Sequence, residues 1–146
     1  KLLLVLTLIE ISFVLVYWID LRLGYPSETL HYLFDLNGEA NIPSWFSSVQ
    51  LFTVGIVFFL AARRAPANDP GIRRFHAALA LIFAGLSLDE TAIIHERLND
   101  SLAKFHFFYR FNSNDDGIWI PVYLVLGAVF CLCFYRRFLD ILQAHR

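Results

Sequence analysis

Long apolar blocks alternate with short polar punctuation along this chain. Four blocks, residues 2–18, 44–62, 75–94 and 118–135, approach or reach the roughly 20 mostly apolar residues that a bilayer-spanning helix needs. All four are expected to be helical, because lipid offers no partner to an open backbone. The punctuation agrees. Asn41 and Pro43 suit the cap and first turn of a helix, "APANDPG" (65–71) suits a tight turn, and "NSNDDG" (112–117) suits a loop. Between spans, "PSETLHYLFDL" (26–36) has a Pro-Ser start and an apolar stripe of Leu30, Leu33 and Phe34, as a short helix lying on the membrane would. "SLAKFHFFYRF" (101–111) is aromatic and basic and is read as interfacial too. Trp18, Trp45 and Trp119 fall near span ends, where interfacial tryptophans gather. The pattern predicts an all-α membrane protein. It is a four-helix transmembrane bundle with short interfacial helices in the outer loops, forming a single domain over residues 1–146.

Composition supports the membrane reading. Of 146 residues 58% are hydrophobic and only 17% charged, with mean hydropathy +0.55, whereas soluble domains carry about a quarter charged residues. The formal net charge of −1 offers no basic field for nucleic acid. Positive residues are sorted by side. Arg63, Arg64, Arg73 and Arg74 flank the connection between spans two and three, Arg136, Arg137 and Arg146 follow span four, and Lys1 precedes span one. Such residues stay inside, so both termini are expected to be cytoplasmic and the chain to sit in a bacterial inner membrane. The opening "KLLLVLTLIEISFVLVYW" has no small-residue cleavage site and reads as a retained span. Cys131 and Cys133 are one residue apart and face different sides of a helix, so they are read as buried small hydrophobes rather than a redox pair.

The acids and histidines gather on the opposite side. The outer edge carries Glu28, His31, Asp35, Glu39, Asp89, Glu90, His95, Glu96, Asp100 and His106. Asp89 follows Arg74 by about 22 Å of helix, which leaves it inside a hydrocarbon core of about 30 Å. Glu96 comes one heptad later, on nearly the same face of a continuous helix; Glu90 and His95 point elsewhere and read as scaffolding. Simple solvation of a helix end explains Glu90, His95 and Asp100 equally well. Glu10 lies half-way along span one. It is either a protonated acid bonded to a neighbouring helix or the floor of a polar cavity that opens past Asp89. Asp35, Asn37 and Glu39 surround the Asn37-Gly38 turn; they suit a hard cation such as calcium, and turn chemistry alone accounts for the same residues. Ser44, Ser48, Leu51 and Gly55 form a mostly small stripe that predicts close helix packing.

Carboxylates and histidines at one end of a helical bundle are the ingredients of a divalent-metal site. The candidate residues are Asp89, Glu96, Glu39, Glu90, His95, Glu10, His31 and His106. No Glu-x-x-His or His-Glu-x-x-His spacing fixes a ligand set. Three functions compete: a small membrane protein with an outward-facing acid and histidine site, binding metal or handling protons; an accessory subunit packing against partner helices, lipids or pigments; and a transporter or channel component, which would need oligomerisation because four short spans enclose little.

Two strings carry a resemblance, "DLNGEANIPSWFSS" (35–48) and "LSLDETAIIHE" (86–96). They are similar to the Asp-x-x-x-Glu…Pro-Ser-Trp and Asp-Glu…His-Glu strings of uncharacterised small bacterial multi-span membrane proteins. The resemblance covers about a sixth of the chain. It implies a multi-span fold and no particular activity.

Overall fold

The computed structural model describes residues 1–103, 117 and 119–144. Within them the chain is all-helical, with no sheet. The helices are α1 (Leu2–Arg22), α2 (Glu28–Phe34), α3 (Ile42–Arg64), α4 (Pro70–Ala92), α5 (Ile94–Ala103) and α6 (Trp119–Ala144). Four of them, α1, α3, α4 and α6 over Trp119–Asp140, are long and apolar enough to cross a membrane. The two short helices, α2 and α5, lie at one end of the four. His106 and most of the expected interfacial stretch 101–111 lie outside the described residues.

The helices run past the apolar blocks because their caps are polar. Asn41 accepts from the Ser44 backbone at 3.0 Å, and Ser44 Oγ accepts from the Asn41 backbone at 3.0 Å, a reciprocal capping box that starts α3 ahead of the apolar run. Asp69 does the same for α4, accepting from Ile72 N at 3.0 Å, with Pro70 in the first turn where its missing N–H costs nothing. Ser27 opens α2 by accepting from Leu30 N at 3.3 Å.

α3 and α4 form the tightly packed hairpin. The small stripe of α3 is its seam: Ser44, Ser48, Gly55 and Ala62 are buried, while Leu51 is half-buried. A Cβ at Gly55 would lie 3.3 Å from both Ala80 O and Ala84 N, a tight fit, so glycine suits this close approach of the two backbones. Near the acidic end the seam becomes polar. Ser48 Oγ and Ser87 Oγ each donate to the other's carbonyl at 2.9 Å, and Ser48 Oγ is 2.7 Å from Thr91 Oγ1. In hydrocarbon each such bond between helices is worth about 0.6 kcal/mol.

The outer helices are held at fewer points. At the arginine end Phe75, 5% exposed, sits among Phe130, Phe134 and Phe138 of α6 with ring centroids 5.5–6.0 Å away. Arg137 of α6 pairs with Asp69, and Gly71 leaves the room: a Cβ there would meet the Arg137 guanidinium. α1 leans on the other side of the hairpin through Phe13, which touches Phe34 and Phe46. Most of α1 and α6 stays exposed, as lipid-facing surface should. Cys131 and Cys133 are on that surface: both are free thiols and exposed, not buried as expected, because α6 contacts its neighbours along an aromatic stripe instead. Trp18 and Trp45 are also exposed, and the Arg22 guanidinium lies 5.2 Å above the Trp18 ring.

Candidate metal centre

The site begins where α4 breaks. Ile93 has φ 55° and ψ 44°, a left-handed conformation that costs a β-branched residue about 1–3 kcal/mol. The break is stapled by Asp89. Its carbonyl accepts from Ile93 N–H. Its Oδ1 accepts from the His95 backbone at 2.8 Å, and its Oδ2 lies 3.2 Å from His95 Nδ1. The phenol of Tyr123 on α6 comes close to the same carboxylate. The chain therefore restarts as α5 in a new direction. This overturns the expectation that Asp89 and Glu96 share a face by heptad spacing, since that spacing assumes one unbroken helix. His95, read as scaffolding, is the centre of the cluster.

Glu39 arrives from the opposite side, on the loop between α2 and α3. Turn chemistry shapes that loop. Asp35 Oδ1 accepts from Asn37 N at 2.9 Å, and Asn41 Nδ2 donates to the carbonyls of Asp35 (2.6 Å) and Gly38 (2.9 Å). Asn41 is 6% exposed, so one buried side chain both caps α3 and clamps the loop. The clamp presents Glu39, whose Oε1 lies 2.8 Å from His95 Nε2. Glu39 Oε2 is buried with no hydrogen-bond partner among the described residues. A buried acceptor left unpaired costs about 1–3 kcal/mol.

Glu96 completes the group. One ligand atom each from Glu39, His95 and Glu96 lies within 4.8 Å of the others. Two of the three, His95 and Glu96, line an open pocket of about 380 Å³ together with Asn99, Asp100 and Trp119. Trp119 stands edge-on to the His95 ring at 5.1 Å and forms a wall of this pocket. Both nitrogens of His95 face carboxylates. Either His95 carries both protons, or a carboxyl holds one, or a cation replaces the proton on Nε2. The third arrangement has a familiar second shell: a metal-ligating histidine that donates its other N–H to a carboxylate, here Asp89.

The remaining expected residues separate. Glu90 is half-buried and near enough to feel the charges of Glu39, Asp89 and His95. Glu10 does not line the pocket: it is exposed on α1 and accepts from Gln50 Nε2 of α3 at 3.0 Å. His31 pairs with Asp20 instead, 2.9 Å from Nδ1 to Oδ2. Sequence reasoning missed two residues, Asp20 and Tyr123. Asp20 is a carboxylate at the end of an apolar block, the same signal that marked Asp89. Tyr123 is four residues after Trp119 and thus on its face of α6.

No curated protein and no solved structure matches the chain. A family profile does match, over nearly the full length. The chain belongs to the family described as Domain of unknown function (DUF8692), which covers residues 2–145.

Proposed function

We propose that this is an integral membrane protein that binds a divalent cation at the outer end of its bundle. Glu39, His95 and Glu96 are the ligands, and Asp89 positions His95. One observation carries the reading: ligand atoms from the α2–α3 loop and from two positions on α5 converge within 4.8 Å. The buried, unpaired Glu39 Oε2 supports it, since a cation would satisfy that oxygen. Two carboxylates and one imidazole, with an open side toward the pocket, suit zinc, and equally iron or manganese. A bound cation would supply Lewis-acid chemistry or an activated water to whatever enters the pocket. The arginine-rich end lies opposite, which favours an outward-facing, periplasmic site with both termini cytoplasmic.

The test is zinc content after chelator stripping and reloading of the detergent-purified protein. Glu39→Gln and His95→Asn should each lose one equivalent relative to the wild type while keeping the helical circular-dichroism signal. Equal zinc in wild type and His95→Asn would end the reading.

A second reading, an accessory subunit of a larger membrane complex, is favoured by the Glu10–Gln50 pair. The pair sits about 18 Å of helix from the end of α1 at Arg22, yet Glu10 is exposed on the bundle surface. A partner helix covering it would spare lipid a polar contact. Isolation from native membranes in mild detergent tests this: a fixed co-purifying subunit supports it, and a monodisperse single chain counts against it.

A further inference from the structure

His31 stands apart from the cluster around His95, yet its surroundings repeat the same arrangement. Its Nδ1 lies 2.9 Å from Asp20 Oδ2, as His95 Nδ1 lies 3.2 Å from Asp89 Oδ2. Its Nε2 faces Asp35 Oδ2 at 4.0 Å, as His95 Nε2 faces Glu39. Asp35 and Glu39 are four residues apart on one clamped loop. Each presents a carboxylate oxygen to the outward nitrogen of a histidine whose inward nitrogen is held by an aspartate at a span end.

We propose that His31 Nε2 and Asp35 Oδ2 form a second, independent divalent-cation site, with Asp20 as the positioning residue behind His31. Several features fit it. The Asp20 contact makes Nδ1 the protonated nitrogen, which leaves the Nε2 lone pair outward. The Tyr25 ring, edge-on at 4.4 Å, fixes the imidazole plane. Tyr25 reaches that place through a left-handed turn, with φ 70° at Gly24 and 59° at Tyr25. Asp35 uses Oδ1 on the Asn37 backbone, so Oδ2 remains for a ligand. At 4.0 Å the two atoms are too far apart for a hydrogen bond. Bonds of about 2.1 Å in tetrahedral geometry hold ligand atoms about 3.4 Å apart, so a small rotation of Asp35 closes the site. His31 and Asp35 are partly exposed, and water can fill the other positions.

Asp20 is the buried group behind the ring. Its side chain is 1% exposed, and its Oδ1 has no hydrogen-bond partner among the described residues. A buried carboxylate with one partner and one bare oxygen is poorly compensated. A cation on the far nitrogen of His31 draws charge through the ring and strengthens the bond to Asp20, as second-shell carboxylates do.

Zinc binding by the stripped full chain tests the proposal. His31→Asn keeps an N–H near the place of Nδ1, so the Asp20 contact and the fold survive while the Nε2 ligand is lost. With both sites present, wild type binds two equivalents, His31→Asn one, His95→Asn one, and the double variant none. Asp20→Asn should weaken the His31 site about 10–100-fold without abolishing it. Loading the His95→Asn variant with Cu²⁺ adds a readout that a structural role would not move. Its electron paramagnetic resonance should show a single-nitrogen coupling that disappears when His31→Asn is added. If His95→Asn binds no metal at millimolar zinc, or if His31→Asn leaves the count unchanged, the proposal is wrong. If the His95 site alone fails, wild type binds one equivalent and His31→Asn none, so the two readings fall separately.

Discussion

Asp89→Asn isolates the geometry around His95. The backbone N–H of His95 donates to Asp89 Oδ1 at 2.8 Å, and only an oxygen can accept it. In the variant, the amide oxygen must therefore stay on the backbone, which turns the amide nitrogen toward His95 Nδ1, now 3.2 Å from Oδ2. Two donors cannot face each other. His95 escapes by moving its proton to Nε2, the nitrogen that faces Glu39 and would bind the metal. The size and shape of the side chain hardly change, so the break at Ile93 should persist. Loss of a second-shell carboxylate typically costs about 10–100-fold in metal affinity, or about 1.4–2.7 kcal/mol at 1.36 kcal/mol per decade. Zinc titration against a competing chromophoric chelator, in the His31→Asn background so that one site is read, measures it. Glu90→Gln is the comparison, since it also removes a nearby negative charge but touches no histidine nitrogen; it should cost less than about tenfold. Zinc affinity in Asp89→Asn equal to that of Glu90→Gln would refute the reasoning, because charge alone, not the tautomer, would then govern the site.

Other perturbations test the frame. Gly55→Val forces side-chain atoms into the seam where a Cβ already meets Ala80 O and Ala84 N at 3.3 Å, so thermal unfolding in detergent should show a loss of about 1–3 kcal/mol. An unchanged Tm would mean that α3 and α4 are not in close contact there. The Asp69 carboxyl is held below its ordinary pKa of 3.8, first by the Ile72 N–H and also by the nearby Arg137 guanidinium. A lowered folded-state pKa gives stability that is present above the unfolded value and lost as pH falls through the folded one. The advantage of wild type over Asp69→Asn should therefore hold near neutrality and shrink below about pH 4, read as Tm against pH. Gly71→Ala should mimic the loss of the Arg137 contact at neutral pH without altering the Ile72 cap. Glu10→Leu removes one exposed bond to Gln50 and should cost about 0.6 kcal/mol in detergent, whereas a loss of several would contradict an exposed position.

Much of the frame was legible in the sequence because membrane physics leaves few choices. Apolar length gave the four spans, Asn41 with Pro43 marked the start of α3, and the small residues Ser44, Ser48 and Gly55 marked its packing face. Arg63, Arg64, Arg73 and Arg74 fell at the end of the α3–α4 hairpin opposite Glu39, Asp89 and Glu96, as their positions implied. The site was legible only as a set of residue types. Its decisive event is the left-handed Ile93, and nothing local announces it: Ala92-Ile93-Ile94 reads as helix, and the strain is accepted because Asp89 collects the freed N–H groups. Glu39 and His95 are 56 positions apart, and their meeting depends on how the loop clamped by Asn41 sits over the break. Heptad arithmetic failed for the same reason, by carrying a periodicity across a helix end. Asp20 went unnoticed because one acid at the edge of an apolar block looks like a span terminus until the fold buries it.

The two histidine arrangements share a logic that residue types alone do not express. A span end in lipid must dispose of its last polar groups, and an aspartate there is costly unless something receives it. Asp20 and Asp89 are both received by an imidazole nitrogen, which orients the ring and leaves its other nitrogen toward the α2–α3 loop. The single loop between α2 and α3 then faces both rings, through Asp35 on one flank and Glu39 on the other. Asn41 fixes that loop to the first turn of α3, and α3 is locked to α4 by the Ser48–Ser87 exchange. The clamp therefore fixes where the Glu39 backbone sits relative to His95, and it is tied to the most tightly packed pair of spans. The hairpin thus positions the loop that carries the carboxylate over the helix break that carries the imidazole, while α1 and α6 are held at fewer points.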